Sequence, residues 1–340
     1  MASLKDLAAE CGVSIATVSK ALNGQKDVSP KTRERIRQKA REIGYFPNSA
    51  AKALKTNESK NIGVLFVDDA RSGLTHDYFN HVLDSFKREI ELHDYDLTLI
   101  NCTRTSASGM TCLERARYRG FDGVIIACIN FKDPEVAELV ASEIPVVTID
   151  YIFNNTLAVL SDNVGGMRGL LHYVYEKGHR KIAFIHGADS TVTQARISSF
   201  FTTCSELGIK VPDEYILEAP YRDTEETYRQ TEKLLDLSDP PTCILFPDDY
   251  SGLGGISAIK NRGLRIPEDI SVAGFDGINR GLSIQPSLTT WHQDTETIGR
   301  EAARKLLSQI RSPRTTIMLP VTVPGSLYEG DSVLDLNRTT

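Results

Sequence analysis

The 340-residue chain lacks most features that mark membrane, secreted or metal-dependent proteins. Nowhere do about 18 apolar residues occur consecutively, and the opening MASLKDLAAECGVS holds no apolar run of signal-peptide length, so a cytoplasmic protein is expected. Six cysteines (Cys11, Cys102, Cys112, Cys128, Cys204, Cys243) are scattered, with no C-x-x-C pair and no histidine at zinc-ligand spacing. Reduced, mostly buried thiols are expected. The seven histidines form no H-x-x-x-H pair; His172 and His179 fall near helix ends, where solvent or capping roles are common. Neither G-x-S-x-G nor G-x-x-x-x-G-K-[ST] occurs, which excludes a hydrolase nucleophile elbow and a P-loop. Gly252-Leu253-Gly254-Gly255-Ile256-Ser257 approaches a G-x-G-x-x-G fingerprint. However, PDDYS separates it from Phe246, whereas a dinucleotide site needs its first glycine in the tight turn at the strand end. No catalytic constellation, metal site or cofactor site emerges. Residues 329–340, EGDSVLDLNRTT, carry no heptad pattern and hence no coiled coil.

The composition, 41% hydrophobic and 25% charged, is that of a soluble globular chain long enough for two or three domains. The net charge of −6 argues against a nucleic-acid partner only if it is evenly spread. It is not. Residues 1–60 hold 12 Lys and Arg against 6 Asp and Glu, a net of +6, which leaves −12 for residues 61–340.

In the basic head, Leu4, Leu7, Ala8 and Cys11 fall at i, i+3, i+4 and i+7, one face of a short helix that Gly12 ends. Ser14 can cap a second helix whose inner face is Val18, Ala21 and Leu22, while Ala16, Ser19, Lys20 and Asn23 point away. A third helix begins at Ser29 with Pro30 in its first position, buries Ile36, Ala40 and Ile43, and stops at Gly44. Its outer surface carries Arg33, Arg35, Arg37, Lys39 and Arg41. Two short helices joined by a Gly turn form a helix-turn-helix.

The run LKDLAAECGVSIATVSKALNGQKDVSPKTRERIRQKAREIGYFPNSAAKAL resembles the DNA-binding head and hinge of the lac/gal repressor family. The resemblance implies that the second helix enters the major groove with Ile15, Ala16 and Lys20 as base-reading positions. Lys20 can donate to guanine, whereas Ile15 and Ala16 can only pack against thymine methyls or base edges. Ser14, Thr17, Ser19, Asn23, Ser29, Lys31 and Thr32 suit phosphate oxygens, although Thr17 is equally suited to a structural role. By composition, residues 46–60 read as a flexible connector. The resemblance makes PNxxAxxL a hinge helix that forms against a dimer mate in the minor groove, with Asn48 and Ala51 at the DNA and Leu54 as the wedge.

From Asn61 onward, apolar strands alternate with helical stretches: IGVLFV, a helix through Tyr78 to Leu92, DLTLIN, a helix near Leu113 to Arg119, GVIIAC, a helix from Pro134, and PVVTID. A second series follows: a helix in DNVGGMRGLLHYVYEKGH, KIAFIHG, a helix from Thr193 to Leu207, TCILFP, a helix from Gly254 to Arg262, and DISVAGFD. Such alternation predicts α/β lobes built on parallel sheets, with ligand sites at the carboxyl ends of the strands. This part resembles the same family's effector-binding core, which is itself similar to periplasmic sugar-binding proteins. The implied lobes are 61–159 with 292–320, and 160–291 with 321–340, after a head at 1–46 and a hinge and linker at 47–60. The resemblance puts Arg196, Asp248 and Asp276 at effector-contact positions of the second lobe, and Asp150, Tyr78 and Phe79 in the first. Asp68 and Asp69 are weaker candidates. An aromatic face stacks on a sugar ring while Asp and Arg bond its hydroxyls. Two departures stand out: Asp248-Asp249 replaces the usual Asn-Asp, and Gly277 replaces the second acid after Asp276. Near Tyr221 and Arg222 the family often has an aromatic over the ligand, and the sequence does not decide which of the two fills that place. If it is Arg222, two arginines face the cleft and an acidic or phosphorylated sugar becomes a candidate; Asp248 and Asp276 favour a neutral polyol.

The expected protein is a ligand-responsive transcriptional repressor that binds a near-palindromic operator as a homodimer and takes a small sugar-like effector. The rival is a sugar-binding transport component without a DNA role.

Overall fold

In the computed structural model, residues 2–25, 27–46, 58–67, 73–100 and 109–338 are described here. The hinge positions Asn48, Ala51 and Leu54, together with Asp68 and Asp69, lie outside them. The chain divides into two compact units, Met1–Lys60 and Asn61–Thr340.

The first unit contains α1 (Leu4–Cys11), α2 (Ile15–Leu22) and α3 (Pro30–Glu42). Each helix start is fixed by a serine: Ser3, Ser14 and Ser29 accept from the amides of Asp6, Thr17 and Thr32. Gly12 ends α1 in the left-handed conformation, which an L side chain adopts at a cost. Leu7, Val18, Ala21 and Ile36 are fully buried at the centre of a small core. Several of the basic residues on α3 have structural roles. Arg33 donates to the carbonyls of Gln25 and Val28, and Arg35 to that of Cys11; these bonds tie α3 to the α2–α3 connection and to the end of α1. Lys39 pairs with Glu10 and Glu42.

The second unit is built on two six-stranded sheets. The first runs in the order β11-β5-β4-β3-β1-β2 and the second β12-β10-β9-β8-β6-β7. The strands are β1 (Asn61–Phe66), β2 (Asp96–Leu99), β3 (Gly123–Ala127), β4 (Val146–Ile149), β5 (Leu157–Ser161), β6 (Ile182–His186), β7 (Ile216–Glu218), β8 (Cys243–Leu245), β9 (Ser271–Asp276), β10 (Thr289–His292), β11 (Val321–Val323) and β12 (Ser326–Tyr328). The first sheet is parallel throughout. The second is parallel except at its edge, where β12 pairs antiparallel with β10.

Helices cover both faces of each sheet, as parallel sheets require. On the first, α4 (Asp77–Glu91) and α12 (Thr295–Arg311) enclose one core, and α5 (Cys112–Arg119) with α6 (Pro134–Val140) the other. On the second, α7 (Asn163–Glu176) and α8 (Thr191–Glu206) lie opposite α9 (Thr224–Leu235) and α10 (Asp249–Asn261). A short α11 (Asn279–Leu282) follows β9. α9 and α12 were absent from the strand-helix count read in the sequence, although Ile298, Ala302, Ala303, Leu306 and Leu307 form a helical stripe that is buried in the structure.

Three expectations need correction. Val321–Val323 pairs with β5, so this segment belongs to the first sheet, and the chain enters the second only at Ser326. Cys112 is disulfide-bonded, whereas Cys11, Cys204 and Cys243 are free thiols. His179 is not a solvent-facing helix end. It is 1% exposed, and its ring nitrogens contact Thr242 Oγ1 and the Leu334 carbonyl oxygen; burial lowers its pKa.

The near-fingerprint glycines lie inside α10 and serve its packing. A Cβ on Gly254 would sit 1.9 Å from the Thr224 carbonyl oxygen, and one on Gly255 would sit 2.2 Å from the Phe246 ring. No phosphate-binding turn exists there, because α10 begins five residues earlier than its sequence pattern predicts, at the Asp248 cap.

Candidate DNA-reading and effector sites

In the head, α2 turns Val18 and Ala21 inward, which leaves Ile15 at 47% exposure with Ala16, Lys20 and Asn23 also exposed. An isoleucine held half out of a small domain has no folding benefit there. Lys20 meets Asp27 at 2.5 Å, an exposed pair that an arriving phosphate or base can displace. Local bonds occupy the hydroxyls assigned to phosphates. Ser14 Oγ contacts Thr17 Oγ1 at 2.9 Å, Ser29 Oγ donates to Thr32 Oγ1 at 2.9 Å, and Asn23 Nδ2 donates to the Ser19 carbonyl at 2.8 Å. Lys31 is exposed on the first turn of α3.

In the core, the carboxyl ends of both sheets carry the predicted effector residues. Tyr78, near the start of α4, donates to Asp150 Oδ2 at 3.0 Å and lies 2.8 Å from Ser161 Oγ; the Ser161 amide donates to Asp150 Oδ1 at 2.6 Å. Asp150 adopts a left-handed backbone, φ 58°, unusual for a residue with a side chain. Burial raises its pKa against these hydrogen bonds. Phe79 packs edge-on against His76, Phe66 and Tyr78.

On the second sheet, Arg196 of α8 is 4% exposed. Its Nε donates to Asn163 Oδ1 at 2.8 Å, its Nη1 donates to the Pro247 carbonyl at 2.9 Å, and its guanidinium stacks 3.6 Å from the Phe275 ring centroid. Asp276 ends β9 with φ 109° and accepts from Gln293 Nε2 at 2.6 Å. Burial, and then the neighbouring Asp248 and Asp150, push its carboxyl up to about 7 despite Arg196. The next residue along, Gly277, has φ 73° and gives its amide to Asp249 Oδ2, as does Ile278; Thr290 donates to the other oxygen. Asp249, fully buried, thus fixes the turn that aims Asp276. Asp248 caps α10: its oxygens accept from the Ser251 amide and hydroxyl and from the Arg222 amide. The carboxylate predicted to meet a ligand is therefore largely occupied as a cap.

The structure also separates Tyr221 from Arg222. The Tyr221 ring fills the space that a Cβ on Gly187 would take, 2.2 Å away, and its hydroxyl lies 2.9 Å from Thr193 Oγ1; Arg196 is 5.8 Å from the ring centroid. Tyr221 is the aromatic on the same side as Arg196. Arg222 points to the first lobe instead, where Nη1 donates to Asp77 Oδ2 at 3.3 Å. Sequence reasoning missed Asp249, Gln293 and Thr193. It also missed an aromatic group at the ends of β3 and β4, where Phe131 stacks on Tyr151 at 4.4 Å with Phe153 beside both. The signal available was a cluster of aromatics directly after two predicted strands.

Together, a three-helix head with an apolar and basic reading edge and a two-sheet core with convergent polar groups define a ligand-responsive, DNA-binding transcriptional regulator. Comparison with known proteins agrees. The profile of bacterial regulatory proteins of the lacI family matches residues 3–48, and that of the periplasmic binding protein-like domain matches residues 171–333. The HTH-type transcriptional repressor PurR of Escherichia coli O1:K1 / APEC is 30% identical over 319 residues, 92% of each chain. That of Salmonella arizonae is 30% identical over 98% of each chain. Among solved structures, the lac repressor dimer bound to operator and the anti-inducer ONPF aligns with TM-score 0.83 and 24% identity over 98% of this chain and 99% of that one. The transcriptional regulator CelR–cellobiose complex aligns with TM-score 0.72 and 23% identity over 98% and 100%. The chain belongs to the lacI family of bacterial regulatory proteins. It is a ligand-responsive repressor of transcription, and no helix among the described residues is long and apolar enough to cross a membrane.

Proposed function

We propose that the chain acts in the cytoplasm as a homodimer on a near-palindromic operator, has no enzymatic activity, and loses or gains operator affinity when a small sugar-like effector enters the cleft between its two sheets. Two heads on one dimer match two half-sites. Ile15, Ala16 and Lys20 would read bases, with Ser14, Thr17, Ser19, Asn23, Ser29, Lys31 and Thr32 on the backbone; Asn48, Ala51 and Leu54 would act in the minor groove. Tyr78, Phe79, Asp150, Arg196 and Asp276 would hold the effector, with Asp248 shaping the floor. The observation that carries this reading is the convergence of polar groups from both lobes, buried Tyr78 with half-buried Asp150 facing buried Arg196 with half-buried Asp276. A ligand that bridges them binds one arrangement of the lobes better than another, and a coupling of about 1–3 kcal/mol to operator affinity is typical.

The test is a gel-shift titration against a genomic fragment library, repeated with the sugar that gives the largest thermal shift. A specific fragment retained in the nanomolar range and released or tightened by that sugar is expected. Failure on every fragment, or retention that no sugar alters, would overturn this reading of the operator and effector sites.

A further inference from the structure

The cleft contains a second guanidinium whose charge is already matched within the molecule. Arg222 lies on the loop between β7 and α9 with a left-handed backbone, φ 62°. Its amide donates to Asp248 Oδ2 at 2.9 Å and to Ser251 Oγ at 3.0 Å, which fastens the loop to the first turn of α10. The side chain then crosses to the first lobe. Nη1 donates to Asp77 Oδ2 at 3.3 Å, Nη2 donates to the Thr75 carbonyl at 3.4 Å, and the guanidinium sits 4.1 Å from the Tyr250 ring centroid. The side chains of the pair are 8% and 24% exposed, so this is a largely desolvated contact. Asp77 immediately precedes Tyr78 in the first lobe and Arg222 immediately follows Tyr221 in the second, so the pair bridges the two lobes beside the candidate effector residues.

Taking the sugar-site reading as given, we propose that the Arg222–Asp77 pair makes this cleft selective against negative charge, so that the effector is a neutral or amine-bearing sugar and not a sugar phosphate or sugar acid. Phosphate and carboxylate are recognised best by a guanidinium fork. Arg196 offers one, but its Nε and Nη1 are already bonded to Asn163 and Pro247. Recruiting Arg222 would break its pair and leave Asp77 half-buried beside an anion, which costs more than the new contact returns. Asp150 and Asp276 then face whatever enters. Lys132, at the rim, is exposed and pairs with Asp189 across the cleft mouth at 3.5 Å.

The test is calorimetric titration of the intact protein with matched probes: D-glucose and D-glucosamine against D-glucose 6-phosphate and D-glucuronate, and D-ribose against D-ribose 5-phosphate. In at least one series the uncharged or amine-bearing member should bind tighter than its anionic counterpart by on the order of tenfold or more. Asp77→Asn should narrow that ratio by about tenfold through gained anion binding, since it removes the carboxylate that now matches the guanidinium charge. Arg222→Met breaks the same contact but removes the cation with it, so it should leave the anions rejected; this separates charge from mere loosening of the cleft. A sugar phosphate or sugar acid that binds the wild type more tightly than its parent overturns the inference and leaves the sugar site standing. An unchanged ratio in Asp77→Asn also overturns it. If no probe binds the wild type or either variant, the sugar-site reading falls and takes the inference with it.

Discussion

The head and the core solve recognition in opposite ways. On α2 of the head, the reading residues stand apart and exposed, and what holds the helix is a separate set: Val18 and Ala21 inside, Ser14 at the cap. In the core, the residues that would touch a ligand also hold the lobe together, because Arg196 bonds Asn163 and Pro247, and Tyr78 bonds Asp150 and Ser161. Base reading and stability are therefore separable in the head, whereas ligand binding and stability are entangled in the core. The physical reason is solvent: water satisfies an exposed Lys20 when no partner is present, but a buried guanidinium needs fixed acceptors at all times.

The sharpest way to break this contrast is Arg196→Ala. It leaves the Asn163 and Pro247 oxygens without their donor and strips the stacking on Phe275, so both the effector response and about 3–5 kcal/mol of stability should be lost, the latter read by urea denaturation. Loss of the response with no loss of stability would show that the core is not entangled. Lys20→Ala tests the other side. Operator affinity should fall by about tenfold or more while the melting temperature stays unchanged, because Lys20 and Asp27 are both about half exposed. A clear drop in melting temperature would contradict separability in the head.

Asp276 gives a pH-dependent version. Its carboxyl, raised from 3.8 to about 7 by burial, binds a proton on folding that the unfolded chain does not, so it opposes folding increasingly as pH rises from about 4 to about 7 and fully above that. Asp276→Asn should therefore melt a few degrees above the wild type at pH 8, corresponding to about 1–2 kcal/mol once the open side of the cleft is allowed for, with the gain vanishing near pH 4. A gain that grows toward low pH would reverse the sign of this argument. The smallest effect is expected at a cap: Ser29→Ala should cost about 1 kcal/mol in head stability, seen as faster amide exchange in α3, and leave the effector response intact.

Much of the head was legible residue by residue. Its helices are short, its caps are serines, and its core positions recur at helical spacing, so local chemistry and sequence distance carry the same information. The doubly covered sheets were legible as alternation, although α9 and α12 were overlooked and the antiparallel edge strand β12 gave no pattern of its own. The effector site was only partly legible. Asp276 and Arg196 sit in conspicuous segments, but Asp249, which sets the Gly277 turn, looks in sequence like a second copy of Asp248. The choice between Tyr221 and Arg222 depended on Gly187 and Asp77, residues distant in sequence from both.

The sequence by itself determined a basic helical head, an acidic body of parallel α/β lobes, and the family to which both belong, because these rest on local periodicity, capping and charge. Tertiary structure alone decided which carboxylates are occupied as caps and turn anchors, that several of the head's basic residues bind the protein itself, and that Arg222 is matched by Asp77. Those facts depend on which groups are brought together out of water, and pairing in a buried site is set by distance in space and not by distance along the chain.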